Sequence, residues 1–237
     1  MKSITILGAG ESGFGAAMLA HHKGFNVFVS DSNKITEDRK SEMIKKSIMF
    51  EEENHSFEKI KLSDLVIKSP GISNSSKIIL KIKSFGIPIV SEIEFASNYS
   101  NSFKICVTGT NGKTTTTKLI YHILKKAGLD VGLAGNIGDS FSLSVALEKF
   151  DYYVIELSSF QLDRMYDFKA DISIILNITP DHLDRYNDDF TKYSQSKFRI
   201  SQNMLRGDHL VYNYDDHVIS KWVSSKIKKL LCNSITN

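Results

Sequence analysis

The sequence predicts an α/β fold built on parallel sheets, because short β-branched runs alternate with helix-period segments along almost the whole chain. Two glycine-rich loops favour the same class, since each lies between a predicted strand and a predicted helix. Helices are predicted between the strands. The predicted strands are residues 3–7, 26–30, 64–68, 88–90, 103–108, 130–134, 152–157, 172–178, 209–212 and 229–231.

A polar interruption divides this pattern near the middle of the chain. Residues 98–102 read Asn-Tyr-Ser-Asn-Ser, and a new predicted strand begins at Phe103. We therefore expect two α/β domains, residues 1–97 and residues 98–237.

The composition is that of an ordinary globular protein. Of 237 residues, 41% are hydrophobic, and 30 Lys and Arg stand against 27 Asp and Glu. The basic residues are scattered, so no nucleic-acid partner is expected. No apolar run approaches the roughly 20 residues of a membrane span, and no leader-type segment precedes the first strand. Cys106 and Cys232 lack disulfide or metal spacing. We expect a cytoplasmic monomer with no membrane partner.

The first glycine loop follows the first predicted strand and reads Gly8-Ala-Gly-Glu-Ser-Gly13. Glycine permits the tight turn and a close approach of the backbone to a diphosphate, while the next helix offers unpaired N–H groups. Asp31 closes the second predicted strand, where an acidic residue meets the ribose in NAD-binding proteins. The first domain is therefore predicted to be Rossmann-like, and the loop leaves open which diphosphate it binds.

The second glycine loop follows the strand that starts at Phe103 and contains Gly112-Lys113-Thr114, the end of a phosphate-binding loop. Backbone N–H groups and the Lys113 ammonium would hold the β- and γ-phosphates, and the Thr114 hydroxyl would bind Mg²⁺. The full Walker pattern has glycine where this chain has Val107. Two phosphate loops argue against a simple dehydrogenase, and the second domain is predicted to be of the P-loop ATP-binding type.

Polar residues follow two later predicted strands. Glu156 ends an apolar strand, where a carboxylate can hold the same Mg²⁺ as Thr114. His182 lies in a polar cluster after the strand at 172–178, between Asp181 and Arg185. It could be a metal ligand or a phosphate contact, while Arg185 could instead pair with the neighbouring aspartates.

Lys197 lies on the mainly apolar face of a helix predicted over residues 188–204. A lysine in that position usually extends its ammonium to water. If it is held inside instead, desolvation lowers its pKa and leaves a neutral amine able to react with CO₂ or an acyl group. Periodicity alone leaves both alternatives open.

Together these motifs resemble the Mur ligase family, the ATP-dependent amide-forming enzymes of bacterial peptidoglycan synthesis, and most closely its D-glutamate-adding branch. The resemblance covers essentially the whole chain. The matching segments are residues 8–13, 69–72, 108–114, 134–138, 156–162, 177–186 and the helix that carries Lys197.

The resemblance implies a ligase that uses ATP and Mg²⁺ to join D-glutamate to UDP-N-acetylmuramoyl-L-alanine through an acyl phosphate. The first domain would then bind the UDP substrate rather than NAD. The residues implied for that substrate are Glu11, Ser12, Asp31, Ser32, Gly71, Asn136, Ser158 and His182. Those implied for ATP are Gly109, Thr110, Asn111, Gly112, Lys113, Thr114 and Thr115.

The resemblance also implies the catalytic groups, which are Lys113, Glu156, His182 and Lys197. Thr114 and Glu156 would hold one Mg²⁺, and His182 and Lys197 a second. In this family the lysine at the position of Lys197 is N-carboxylated, which turns a cation into a carboxylate-like metal ligand.

The family has three domains, whereas these residues account for the first and most of the second. We therefore expect an incomplete ATP-binding domain, no C-terminal amino-acid-binding domain, and no complete ligation by this chain. Two alternatives stay open at this point. One is a related ligase with another amino acid or a folate-type substrate, and the other is a non-catalytic dinucleotide-binding protein.

Overall fold

A computed structural model describes the backbone of residues 2–235 and the side chains of residues 2–226. It confirms the predicted α/β class, because ten strands in the described residues form two five-stranded sheets with parallel pairing throughout. The strands are β1 (Ser3–Leu7), β2 (Asn26–Ser30), β3 (Met49–Glu51), β4 (Leu65–Lys68), β5 (Ile89–Ser91), β6 (Phe103–Thr108), β7 (Val131–Gly135), β8 (Tyr152–Glu156), β9 (Ile172–Ile175) and β10 (His209–Tyr212).

Helices connect these strands and cover the faces of both sheets. None of the helices in the described part of the chain is both long and apolar enough to cross a membrane. Short 3₁₀ turns span Leu183–Tyr186 and Arg199–Ser201. The α-helices are α1 (Glu11–His22), α2 (Glu37–Lys45), α3 (Phe57–Ile60), α4 (Lys77–Ser84), α5 (Glu92–Ser97), α6 (Lys113–Lys126), α7 (Phe141–Leu147), α8 (Ser159–Leu162), α9 (Phe190–Phe198) and α10 (His217–Ile235).

Each glycine loop follows the central strand of its sheet. The first sheet has the order β3-β2-β1-β4-β5 and the second β10-β9-β6-β8-β7. The strands that directly follow β1 in the chain lie on one side of it and the later strands on the other, and the same holds for β6. Ligand sites of parallel sheets lie at such switch points, outside the carboxyl ends of the strands. Each sheet falls within one predicted domain, and the boundary near residue 98 stays a prediction.

The strand predicted at residues 229–231 is wrong, because these residues lie inside α10. Short apolar runs fit both structures, and lysine and leucine are good helix formers. The prediction missed β3, a three-residue edge strand. The helix predicted over 188–204 is shorter: Asp189 caps α9, which passes into the second 3₁₀ turn. Cys106 is buried, whereas the Cys232 side chain lies outside the described residues.

The first glycine loop allows α1 to start directly above the end of β1. Gly8 has φ +88°, which favours glycine. A Cβ atom placed on Gly13 would overlap the carbonyl oxygen of Gly8, so the helix can approach the loop this closely only with glycine there. Gly10, in contrast, has open space around it.

The two sheets share one buried core and are joined by buried hydrogen bonds. Both carboxylate oxygens of Glu94 in α5 accept backbone N–H groups from Tyr166, Asp167 and Phe168 at 2.8–3.0 Å. The hydrophobic core runs without interruption from β1 and α1 to β8 and α9. Helix α1 packs on α7, where a Cβ atom on Gly15 would overlap the Ser140 hydroxyl.

Glu92, in the first turn of α5, is a buried acid at this junction. Its Oε1 accepts the backbone N–H of Ser142 in α7, whereas Oε2 has no partner in the structure. Burial raises the pKa of the Glu92 carboxyl to about 7. The hydrogen bonds from Ser142 lower this pKa in part, and the charge of Glu11 raises it slightly further.

The overlap at Gly13 predicts a strong effect of one methyl group. Gly13→Ala should lower the free energy of unfolding by about 3 kcal/mol or more. The overlapping Gly8 carbonyl is part of the backbone and cannot rotate away as a side chain would. Gly10→Ala is the matched control and should stay within about 1 kcal/mol of the parent. Urea denaturation measures both, and equal stabilities of the two variants would contradict the packing described here.

Glu92 predicts a pH dependence of stability. Its pKa is raised in the folded state, so the folded chain holds more protons than the unfolded chain between pH 4.5 and about 7. The unfolding free energy should therefore fall as pH rises through that window, by up to about 3 kcal/mol from this group. Glu92→Gln should remove this slope, and Glu148→Gln, at an exposed site, should keep it. Identical slopes in denaturant titrations of the two variants would refute the prediction.

Candidate functional site

A cavity of about 770 Å³ opens at the carboxyl ends of β1, β2 and β4. It is lined by the first glycine loop, by the segment after β2 and by the turn at residues 69–72. The structure thus brings together five residues predicted for the UDP substrate. These residues are Glu11, Ser12, Asp31, Ser32 and Gly71.

Asp31 orders the first glycine loop. Its Oδ2 accepts the Ala9 N–H at 2.6 Å and its Oδ1 accepts the Asn33 N–H at 2.8 Å. Arg39 donates to the Ala9 carbonyl at 3.1 Å. The carboxylate therefore ties the loop after β1 to the end of β2, and a contact with a nucleotide stays a prediction.

The second glycine loop is shaped by two glycines and one amide. Gly109 has φ +157° and Gly112 has φ +81°. The Oδ1 atom of Asn177, just beyond β9, accepts the N–H groups of Thr110 and Asn111 at 3.1 and 2.8 Å, and its Nδ2 donates to the Asn111 carbonyl at 3.0 Å. Asn177 thus holds the loop with its side chain and with its backbone carbonyl, which also accepts the Thr110 N–H at 2.9 Å.

Helix α6 begins at Lys113 and directs its amino end at the space above this loop. Thr116 is bonded to the Gly112 carbonyl as the helix closes its first turn. The N–H groups of residues 113–115 precede that bond and are the donors that a helix N-terminus offers to a phosphate. The Lys113 ammonium folds back to the Thr110 carbonyl at 2.8 Å. The predicted ATP residues therefore form one continuous loop and helix start.

Glu156 meets this loop from the end of β8. It is buried, and its Oε2 accepts the Thr114 hydroxyl at 2.8 Å while its Oε1 accepts the Asn136 amide at 2.8 Å. A hydroxyl and a carboxylate side by side above a phosphate loop are the oxygen donors that Mg²⁺ prefers. Thr114 and Glu156 therefore fit a magnesium ion, whereas no group of three or more His, Cys, Asp or Glu in the described residues is arranged to hold a metal.

His182 lies at the start of a constrained turn. It has φ +48°, and Asn187 and Asp188 at the other end of the turn have φ +57° and +56°. Its side chain is 59% exposed, its Nε2 lies 3.6 Å from an Asp181 carboxylate oxygen, and its ring lies 5.4 Å from that of Phe160. Constrained backbone of this kind occurs where a side chain must be held in place.

Ser158 caps helix α8 with its side chain. Its hydroxyl accepts the Gln161 N–H and donates to the Gln161 side chain, which also accepts the Ser158 N–H. This reciprocal pair of bonds is a capping box and accounts for the Ser-Ser-Phe-Gln sequence at this point. A substrate contact of Ser158 stays a prediction.

The side chain of Lys197 is held inside the protein and does not extend to water, which decides between the two alternatives that periodicity left open. It is 2% exposed, its Nζ donates to the Gly109 carbonyl at 2.7 Å, and it lies over the Tyr193 ring. Burial, with Lys113 nearby, lowers the pKa of Lys197 to about 7. A large share of neutral amine is therefore present near neutral pH, directly beneath the second glycine loop.

Three residues that shape these sites escaped the sequence predictions. Asn177 and the buried Tyr193, whose hydroxyl lies 2.9 Å from that of Thr110, hold the second loop. Lys68 holds the turn at residues 69–72. The one available signal was position, since Asn177 and Lys68 each stand at the end of an apolar run.

Comparisons of the sequence with known proteins agree over both halves of the chain. Family models for the Mur ligase middle domain and the MurD N-terminal domain match residues 107–236 and 3–78. The UDP-N-acetylmuramoylalanine–D-glutamate ligase of Bacteroides fragilis is 56% identical over 221 residues, 93% of this chain and 50% of that protein. The protein of the same name from Porphyromonas gingivalis is 54% identical over 221 residues, 93% of this chain and 49% of that protein. The chain spans about half the length of these relatives.

Solved structures show the same fold. A UDP-N-acetylmuramate:L-alanyl-gamma-D-glutamyl-meso-diaminopimelate ligase from Neisseria meningitides matches with a TM-score of 0.64 and 20% identity, over 95% of this chain and 75% of that one. A UDP-N-acetylmuramate-alanine ligase from Thermotoga maritima matches with a TM-score of 0.58 and 25% identity, over 93% of this chain and 51% of that one.

Proposed function

The chain belongs to the Mur ligase family, and from this premise we propose that the protein is an ATP-dependent ligase that joins D-glutamate to UDP-N-acetylmuramoyl-L-alanine in peptidoglycan synthesis. Relatives that are more than 50% identical to this chain are named as ligases for that reaction. The observation that carries the proposal is the contact between Thr114 and Glu156 at the head of a phosphate loop, with Asn136 on the same carboxylate. A cytoplasmic location belongs to the same proposal.

The proposed reaction has two steps, because a carboxylate is a poor electrophile. The terminal alanine carboxylate attacks the γ-phosphorus of ATP, which gives an acyl phosphate and ADP. The D-glutamate amine then attacks the acyl carbon, and the tetrahedral intermediate loses phosphate and a proton to give the amide. Catalysis of such phosphoryl transfer is mainly a matter of position and charge.

The described residues supply the phosphate-binding part of this reaction. The amino end of α6 would bind the ATP phosphates, and the Lys113 ammonium would move from the Thr110 carbonyl to them. Thr114 and Glu156 would hold Mg²⁺, which when bound neutralises charge that develops on the phosphoryl oxygens. The hydrogen bond from Thr114 already sets the two oxygen atoms 2.8 Å apart.

The substrate would extend from the first cavity to the second glycine loop. Its UDP part would occupy the cavity at Glu11, Ser12, Asp31, Ser32 and Gly71. Its reacting end would then lie near Asn136, Ser158 and His182, as the family resemblance implies. Lys197, once carboxylated, would join His182 at a second Mg²⁺.

Ligand binding to the chain tests the phosphate loop. We expect Mg²⁺-ATP to bind, Lys113→Met to weaken that binding at least tenfold, and Glu156→Gln to reduce its dependence on Mg²⁺. Lys118→Met, an exposed site on the same helix, is the control and should bind as the parent does. Titration calorimetry measures all four proteins, and parental ATP affinity in Lys113→Met would contradict the assignment.

The same titrations separate the proposal from its alternatives. Binding of UDP-N-acetylmuramoyl-L-alanine supports it, whereas tight binding of NADH without a response to that ligand selects a dinucleotide-binding protein. We expect no ligation of labelled D-glutamate by this chain, which spans about half the length of its relatives, so ligand binding is the readout.

The buried amine predicts a reversible reaction with CO₂. Lys197 has its pKa lowered to about 7, so at pH 8 it is largely neutral and nucleophilic. With ¹³C-labelled bicarbonate we expect one carbamate carbon signal in NMR spectra, which Lys197→Met should remove. Lys192→Met, at an exposed site of the same helix, should retain the signal. A signal that persists in Lys197→Met would show that carboxylation occurs elsewhere.

A further inference from the structure

Lys68 ends β4 with a buried ammonium that bonds to backbone carbonyls. The side chain is 3% exposed, and its Nζ donates to the carbonyl oxygens of Ser69 at 3.1 Å and Ile72 at 2.6 Å. The Ile72 N–H also bonds to the Ser69 carbonyl at 3.2 Å. The ammonium thus closes the turn at residues 69–72 from within.

This turn is a wall of the 770 Å³ cavity. Ser69, Pro70, Gly71 and Ile72 all line it. The Ser69 hydroxyl donates to the Gly8 carbonyl at 3.2 Å, so the turn is also bonded to the first glycine loop. The Lys68 ammonium therefore holds the turn directly, and the Ser69 hydroxyl links that turn to the glycine loop that a diphosphate would face.

The charge on Lys68 is poorly compensated. No carboxylate among the described residues lies within ion-pair distance of its Nζ. The pKa of Lys68 is lowered to about 8, chiefly by burial and then by Arg164, Arg185 and Lys83, while Asp163 opposes the shift. Burial of a cation without an ion pair costs stability, and the two carbonyl hydrogen bonds offset only part of that cost.

We propose that Lys68 is a positioning residue of the nucleotide site, whose ammonium holds the turn at residues 69–72 against the first glycine loop and sets positive charge behind the wall that faces an anionic diphosphate. This inference rests on the proposed function, because it takes the UDP end of the substrate as the occupant of the cavity. An anion in the cavity would compensate the charge that the fold leaves unpaired.

Lys104 offers a matched control elsewhere in the chain. It too is buried, at 9% exposure, and its Nζ caps the carbonyls of Ser100 and Ser102 at 3.1 and 3.0 Å. Burial also lowers its pKa. It stands at the amino end of β6, whereas the cavity lies beyond the carboxyl ends of the other sheet.

The test compares Lys68→Met and Lys104→Met by calorimetry with UDP-N-acetylmuramoyl-L-alanine and by urea denaturation. We expect Lys68→Met to unfold at about the same urea concentration as the parent, because the lost hydrogen bonds offset the relief from burying a cation, and to bind the ligand about tenfold more weakly. Lys104→Met should bind the ligand as the parent does, and Mg²⁺-ATP affinity should be unchanged in both variants. A role confined to folding would instead lower stability without a selective loss of the UDP ligand.

The pH profile supplies a second readout. The pKa of Lys68 is lowered to about 8, so its charge is lost progressively as pH rises from 7 to 9 and the parent's affinity should fall over that range. The affinity of Lys68→Met should fall by less over the same range, and ionisation of the ligand affects both proteins equally.

Four results would overturn the inference. If Lys68→Met binds the UDP ligand as tightly as the parent does, or if the two proteins have equal pH profiles, the inference is wrong while the proposed function stands. Joint loss of UDP-ligand and ATP binding in Lys68→Met would show a general structural role. If the parent chain binds ATP but not the UDP ligand, the UDP half of the proposed function fails together with this inference.

Discussion

The parallel register of β6 with its two neighbours is the constraint on which the second site depends. Val107 pairs with Glu156 on one side and with Ile174 on the other. The three strands therefore end at one edge, which places the phosphate loop, the Glu156 carboxylate and the Asn177 amide together. A shift of one residue in the β6–β8 pairing would turn Glu156 to the other face of the sheet and separate it from Thr114, and a shift in the β6–β9 pairing would displace Asn177 from the loop.

Sequence reasoning reached the parts of the fold and site that are local in the chain. The glycine loops, Thr114 and Glu156 follow strands whose composition is unambiguous, so their meeting at one edge was predictable. The burial of Lys197 was not, because periodicity gives the face of a helix but not the depth of the neighbours that cover it. Asn177 and Lys68 were missed because their partners are backbone groups of the loops, which no side-chain pattern in the sequence marks. Residues 229–231 were misassigned because short apolar runs suit helix and strand alike.

Three ionisable groups that are buried without an ion pair lie close to places where a ligand is expected, whereas the buried Lys104 lies away from both sites. Lys197 is beneath the second glycine loop, and Lys68 is behind the wall of the first cavity. Glu92 is at the junction of the two sheets, within electrostatic reach of Glu11 on that cavity. Each weakens the folded state, whereas an apolar residue would not. Local conflicts of this kind mark the positions where a sequence serves binding rather than folding.

The shared core between the two sheets has a consequence for how the chain unfolds. Helix α1 of the first sheet rests on α7 of the second, and the Glu94 carboxylate is satisfied entirely by backbone of the other half. Neither half can separate without exposing apolar surface and stranding a buried carboxylate. The two halves therefore stabilise each other across this contact, and we expect them to unfold together.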